Sequence, residues 1–377
     1  MTKAGPKGGG DQSDTAYINE LWLAKTLMGG WSGGLSGLEV IYDQYVQRLQ
    51  GQNNGTTKID QAKIAAEAMA NQYLQWANSN GFTGGPGNVW WTAKSDFSWD
   101  SVNFAGTSSW ESITKNHPAD VLCQFASGGR RIPYLGLSAK MVAGKGDAPI
   151  KNPGAKKVST FLFGTDSYFK DIFNNTRDAL IADVKKIDPN VAADTTTVRS
   201  LIPASLWNKI IATSDGKKLA EYYKAECLTR CRDTLLSGLA AKSQLDVFFY
   251  ILDDLMDTSK VPMYVKVTGN YITGASVPTT ATATVEEPAG QNNSKYQALM
   301  SGKPLVYTAM KGNRGRAGFS VGVSGDGKGI IAIRWKFASS DFRTGLKMSI
   351  APWAGNKDTA ESENPHGQKI STDTIVP

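Results

Sequence analysis

The spacing of apolar positions changes character three times along the chain, and the four stretches it defines predict the elements. Between Ala16 and Met28, apolar residues fall at 17, 18, 21, 24, 27 and 28, the spacing of an amphipathic helix. Asp14 offers that helix an N-cap and Gly29-Gly30 a stop. Two further helices are predicted over 37–50 and 58–80; Ala65, Ala66, Ala68 and Ala70 let the second pack closely. The Gly-rich stretch 81–88 breaks the pattern. Val89 to Asp100, with Trp90, Trp91, Phe97 and Trp99, reads as strand or loop. Its tryptophans suit a core better than a base-stacking platform. Val121–Phe125 reads as a strand, 127–130 as a turn, and Ile132–Ala139 as the returning strand.

Helical spacing resumes after 158, with helices predicted over 165–186, 203–213, 216–241 and 243–257. From 261 to 352 the pattern is that of strands, opening at Val261, Thr279, Leu305, Phe319, Ile330 and Leu346. The expected organisation is a disordered arm over 1–14, an α/β domain with a helical extension over 15–257, a basic β-rich domain or sheet extension over 258–353, and a disordered tail over 354–377.

Composition narrows the chemistry. Hydrophobic residues make up 41% of the 377 and charged residues 20%, as in ordinary globular proteins. No apolar run approaches the ~18–20 residues of a membrane span, and the N-terminal stretch lacks the apolar centre of a secretory signal. A membrane partner is therefore not expected, and the compartment is expected to be cytoplasmic or nuclear, with virion association as an alternative. Three cysteines cannot close a disulfide framework, and with two histidines in all, a zinc site is not expected. Mechanisms built on a Ser-His-Asp or Cys-His arrangement have little to draw on. The charge is uneven. Residues 258–353 hold 12 Lys/Arg against 4 Asp/Glu, a net +8 in a chain of net +7. Such a basic region on a nearly neutral body points to a polyanionic partner.

The candidate chemistry lies in two strings. His117-Pro118-Ala119-Asp120-Val121 puts an acid at the start of one strand; Tyr134-Leu-Gly-Leu-Ser138-Ala-Lys140 carries a polar residue and a lysine two apart on the next. Residues two apart on a strand share a face, so Ser138 and Lys140 are expected to project together beside Asp120. An acid, a polar ligand and a lysine converging in this way can hold a divalent metal and activate water against a phosphodiester. From Arg130 to Lys157 there are seven basic residues and one acid, the balance a phosphate backbone favours.

The order of helical Glu20, Pro118-x-Asp120 and Ser138-x-Lys140 resembles the PD-(D/E)xK nuclease superfamily, and the stretch from Gly136 through Lys151-Asn-Pro-Gly154 is similar to uncharacterised viral and phage members. The resemblance covers roughly residues 16–160. It implies an α/β (α+β) fold, a restriction-endonuclease-like mixed sheet flanked by helices, with a C-terminal β-rich region added. It also implies a metal-dependent nuclease acting on DNA, with Mg2+ or alternatively Mn2+ as cofactor and a homodimer as its oligomer. Asp120 would be the central metal ligand, with Glu20 adding a ligand and Lys140 orienting water or stabilising charge. Ser138 stands where the superfamily has its second acid. Some restriction enzymes recruit a carboxylate about a dozen residues further on, but Asn152 and Pro153 occupy that place here, leaving Glu20 or Asp147 to supply it. Expected phosphate contacts are Lys145, Lys151, Lys311, Arg314, Arg316, Arg334 and Lys336, with Lys328, Arg343 and Lys347 as further candidates. Two rival readings are a viral structural or assembly protein on an idle nuclease-like core, and a DNA-binding protein without catalysis.

Overall fold

The computed structural model describes residues 11–93, 97, 102, 117–126, 133–144, 154–187, 189, 202–256, 262–272, 279–290, 292–310, 320–337, 342, 346–352 and 372–375. The chain divides into two compact units, each discontinuous in sequence. Unit 1 joins Met1–Ala148 to Asp257–Asn293, and unit 2 joins Pro149–Met256 to Ser294–Pro377. The fold is mixed α/β, as expected, and the boundary expected at 257/258 lies within one residue of a crossing between the units at Met256/Asp257, but the segments on its two sides group otherwise than expected. The segment after it completes the first unit, and the helical segment before it belongs with the later strands.

Unit 1 opens with α1 (Asp11–Met28), α2 (Glu39–Gln50) and α3 (Gly55–Ser79). Helix α1 is covered on more than one side: Ile18, Leu21, Leu23 and Ala24 are fully buried, and Asn19 reaches Ala62 of α3 through a 2.8 Å hydrogen bond to its carbonyl. Asn19 and Leu23 lie outside the apolar stripe that the spacing predicts, so the helix is buried more widely than its sequence pattern implies. Gly29, at φ +75°, closes the helix, and the Gly30 N–H reaches back to the Lys25 carbonyl. Asp14 is not the cap that the sequence predicts. It lies inside the helix, fully buried, and holds Arg48 of α2 in a two-point ion pair, with Nε 2.6 Å from Oδ2 and Nη2 2.5 Å from Oδ1. A fork-to-fork pair across 34 residues has no local sequence signal.

The unit's sheet runs in the order β1-β2-β3-β4-β5, formed by Pro86–Trp91, Val121–Phe125, Tyr134–Ala143, Tyr264–Ile272 and Thr280–Glu286. β1, β2 and β3 are successively antiparallel, β4 is parallel to β3, and β5 is antiparallel to β4. Alternation sets the faces: Val121, Cys123, Leu135, Leu137, Val265 and Val267 pack with α1 and α3 into one core. At Gly269 a Cβ would lie 2.7 Å from the Met69 sulfur and 3.2 Å from the Ala65 carbonyl oxygen, so α3 rests directly on β4. The predicted turn at 127–130 lies outside the described residues.

Unit 2 contains α4 (Gly154–Phe163), α5 (Tyr168–Ile187), α6 (Ala204–Ala212), α7 (Ser214–Ala241), α8 (Gln244–Phe249) continuing into a π-helical turn over Tyr250–Leu255, and α9 (Ser294–Met300). These accompany an antiparallel sheet ordered β10-β6-β7-β8-β9, from Thr372–Ile375, Leu305–Met310, Ser320–Gly325, Lys328–Phe337 and Leu346–Pro352. Phe169, Phe173, Tyr307, Trp335 and Phe342 are the large side chains of its core. The strand at 372–375, paired with β6, lies within the stretch expected to be a disordered tail. Cys123, Cys227 and Cys231 are free, buried thiols. Among the described residues no single helix is long and apolar enough to cross a membrane.

Candidate active site

The predicted site residues of unit 1 meet at the beginning of β2. Asp120 is tied into the sheet on both sides before its side chain does anything. Its N–H donates to the Leu137 carbonyl at 2.8 Å, and its own carbonyl accepts from Thr92 N–H at 3.0 Å. Its carboxylate then turns toward β3. Oδ2 accepts from the Ala139 N–H at 2.8 Å, from Lys140 Nζ at 3.3 Å and, more loosely, from Ser138 Oγ at 3.4 Å. The backbone N–H fixes the carboxylate and the lysine balances its charge. The Asp120 and Lys140 side chains remain 21% and 29% exposed, so a solute can reach both.

Glu20 comes to the same place from α1. Trp91 at the end of β1 donates its indole N–H to Glu20 Oε2 at 3.0 Å. Burial, reinforced by the negative charge of Asp120, raises the Glu20 pKa from 4.5 to about 8; the Trp91 hydrogen bond and the charge of Lys140 oppose the shift. At neutral pH this carboxyl therefore holds its proton. A buried carboxyl so strongly perturbed beside a second carboxylate marks a functional-site candidate.

His117 has no such freedom. Its Nε2 donates to the Pro262 carbonyl at 2.8 Å and its Nδ1 accepts from the Ala119 N–H at 3.2 Å, which fixes one neutral tautomer. The ring braces the approach to β2 against the approach to β4. Gly136 is packed against this brace: an added Cβ would lie 2.8 Å from the Ala119 Cβ, 3.0 Å from the Tyr264 Cβ and 3.2 Å from His117 Cε1. Gly136→Ala is expected to lower stability by about 1–3 kcal/mol through overpacking of a site that cannot expand. Urea denaturation checks this, and an unchanged midpoint would mean that the Ala119–Asp120 segment yields easily.

Asp147, Lys145, Lys151, Lys311, Arg314, Arg316 and Arg343 lie outside the described residues. Lys328 is exposed at the start of β8 and Arg334 is half-buried on the same strand. Lys336 and Lys347 are register partners on β8 and β9. Sequence reasoning missed the part of Trp91 in the site: among so many aromatic residues core packing was favoured over base stacking, and no local pattern marks a hydrogen bond to Glu20, 71 residues away.

Among the described residues no group of three His, Cys, Asp or Glu side chains is placed to hold a metal. The oxygen donors present are Asp120, Glu20 and the Ser138 hydroxyl. Mg2+ commonly binds through one or two carboxylates and completes its shell with water and substrate phosphate, so this donor set fits it. It does not suit zinc, which prefers nitrogen and sulfur. No family model, no curated protein and no solved structure matches the chain.

Proposed function

We propose that this protein is a metal-dependent nuclease that hydrolyses phosphodiester bonds of DNA, with its active site at Asp120, Lys140, Ser138 and Glu20. The observation that carries the reading is the Asp120–Lys140 pair, held 3.3 Å apart at the end of a mixed sheet, with the carboxyl of Glu20 near enough for the Asp120 charge to raise its pKa. The succession of a helix bearing the acid, an antiparallel β1-β2-β3 meander and a parallel β4 supports a restriction-endonuclease-like core.

Asp120 and Glu20 would hold Mg2+, which when bound would acidify a water and neutralise phosphate charge. The remaining chemistry falls to the chain. The rigid backbone ties of Asp120 place its carboxylate without reorganisation. Lys140 would direct its ammonium to a non-bridging phosphate oxygen or to the attacking water. The water oxygen bonds to phosphorus, one P–O ester bond breaks, and the products are an alcohol and a phosphate monoester. Ser138 takes the place of an acid, so the site carries one negative charge fewer than the superfamily pattern and is expected to bind its cation more weakly. The basic positions of β8 and β9 would supply sequence-independent phosphate contacts.

The test is to incubate the intact chain with supercoiled and linear duplex DNA in Mg2+, in Mn2+ and in EDTA. Cutting in either metal and none in EDTA is expected. Binding without cutting in any condition would favour a DNA-binding protein on an idle core, and absence of both would favour a structural one.

A further inference from the structure

The helices of unit 1 carry a second gathering of charge, built on one tryptophan. Trp22 of α1 packs beside Tyr42 of α2 with ring centroids 5.6 Å apart, and Tyr42 packs beside Trp31 at 5.4 Å. Two ammonium groups lie over the Trp22 ring. Lys25 Nζ, one turn further along α1, is 4.0 Å from its centroid, and Lys63 Nζ, from α3, is 4.6 Å from it. Lys25 also lies 5.6 Å from the Trp31 ring, and Lys63 6.0 Å from the Tyr42 ring. The two nitrogens are thus no further apart than their distances to the Trp22 ring combined. Both lysines are half-buried, and neither makes an ion pair with a described carboxylate. The acid that α3 brings here, Glu67, is engaged at the edge of the same ring, where it accepts the Trp22 indole N–H at 3.0 Å.

We propose that Lys25 and Lys63 form a binding site for a dianionic phosphate group, carried as the free ion or as the terminal phosphate of a nucleic acid strand. Its residues are not those of the Asp120 site, and it does not rest on the nuclease reading. The fold accounts for one of the two lysines. Lys25 is in the last turn of α1, where the helix dipole favours a cation, and a lysine three residues after a tryptophan can cover its ring. Lys63 has neither reason. It comes from another helix onto a ring that already carries a cation, and like charges this close raise each other's cost. A cation–π contact uses the charge of an ammonium but not its three N–H donors, and no described acceptor takes them. Glu67 strengthens the cradle, since a carboxylate on the indole N–H polarises the ring toward a more negative face. The ring holds the two charges together without neutralising them. A phosphate monoester or free phosphate carries about −1.5 to −2 charge at pH 7 and offers oxygens in several directions. It can take a charge-assisted bond from each lysine, where one carboxylate would leave an ammonium unbalanced.

The experiment compares wild type, Lys25→Met, Lys63→Met, the double variant and, as a charge-matched control on the exposed surface of α7, Lys218→Met in the full chain. Inorganic phosphate is titrated by calorimetry in EDTA at constant ionic strength. A 5′-phosphorylated oligonucleotide is then compared with the same strand lacking the phosphate. Wild type and Lys218→Met should bind phosphate alike. Each single variant is expected to lose about tenfold in affinity and the double variant about a hundredfold. Phosphate should raise the melting temperature of wild type and leave that of the double variant unchanged. In chloride, Lys63→Met should be no less stable than wild type, because Lys25 loses a like-charged neighbour. Loss of stability in chloride with unchanged phosphate affinity would overturn the proposal, since the lysines would then only cover Trp22. So would a wild type that does not distinguish phosphate from chloride. If Lys63→Met fails to fold, Lys63→Gln takes its place with the same expectation. A preference for the phosphorylated strand that the double variant lacks assigns the group to a nucleic acid terminus; phosphate binding without that preference assigns it to the free ion, and both uphold the site. A wild type that cuts no DNA bears on the nuclease reading alone.

Discussion

Asp120→Asn is expected to abolish metal-dependent DNA cleavage, by at least ~10²-fold in rate, which corresponds to about 2.7 kcal/mol of barrier. Asparagine keeps the shape and can still accept the Ala139 N–H, so the fold should survive and the loss should be chemical. Lys140→Ala should cost about 10²–10³-fold by removing the charge that meets the phosphate. The two losses should not add in the double variant, because Asp120 and Lys140 are in direct contact and act as a unit. Single-turnover cleavage with saturating Mg2+ measures this, with melting temperatures as the control for folding. A clear result against the reading would be Asp120→Asn cutting at the wild-type rate. The bland role of the pair would then stand: a carboxylate closing the end of the β2–β3 ladder, with a lysine neutralising it. That role predicts loss of stability with retention of any activity, the reverse of what is expected here.

The convergence of Asp120, Ser138 and Lys140 was legible in the sequence because it depends on local rules alone: period-two alternation on β3 and a short connection back to β2. The strand at 121–125 was legible for the same reason. What sequence could not supply was everything set by distant partners. The change to strand spacing after 258 does lie at a unit boundary, but the strands that follow return to the first unit: β4 lies parallel to β3 and is separated from it by more than a hundred residues of another unit. Parallel pairing has no turn between its strands to announce it. Asp14, a short polar residue ahead of an apolar run, had the look of a cap, and only its Arg48 partner gives it an interior role. Lys266 read as one alternation in a strand; only register pairs it with Ser138 and Glu286. Helix α4 was missed because Lys156 and Lys157 follow Gly154, itself at φ +77°, and hide the apolar face that begins at Val158.

Glu20 offers a result that needs no DNA. Its folded pKa of about 8 lies above its ordinary 4.5, so between these values the folded chain keeps a proton that the unfolded chain has lost. Unfolding then releases a proton, and stability must fall as pH rises through that window. The contribution from Glu20 is complete below pH ~4.5 and gone above ~8, on the order of a few kcal/mol in total. Urea midpoints of the metal-free protein in EDTA, taken from pH 5 to pH 9, should therefore decline more steeply in wild type than in Glu20→Gln. Glutamine is the neutral isostere, and its side-chain oxygen still accepts from Trp91. The variant should gain on wild type with each step in pH and be the more stable of the two by pH 9. Parallel wild-type and variant curves would show that Glu20 is ionised and solvated throughout, and the electrostatic link to Asp120 would fall with that result. The same proton bears on the metal. Drawing Glu20 into the cation's shell requires its release, so Mg2+ affinity should rise with pH over this window in wild type and be flatter in Glu20→Gln.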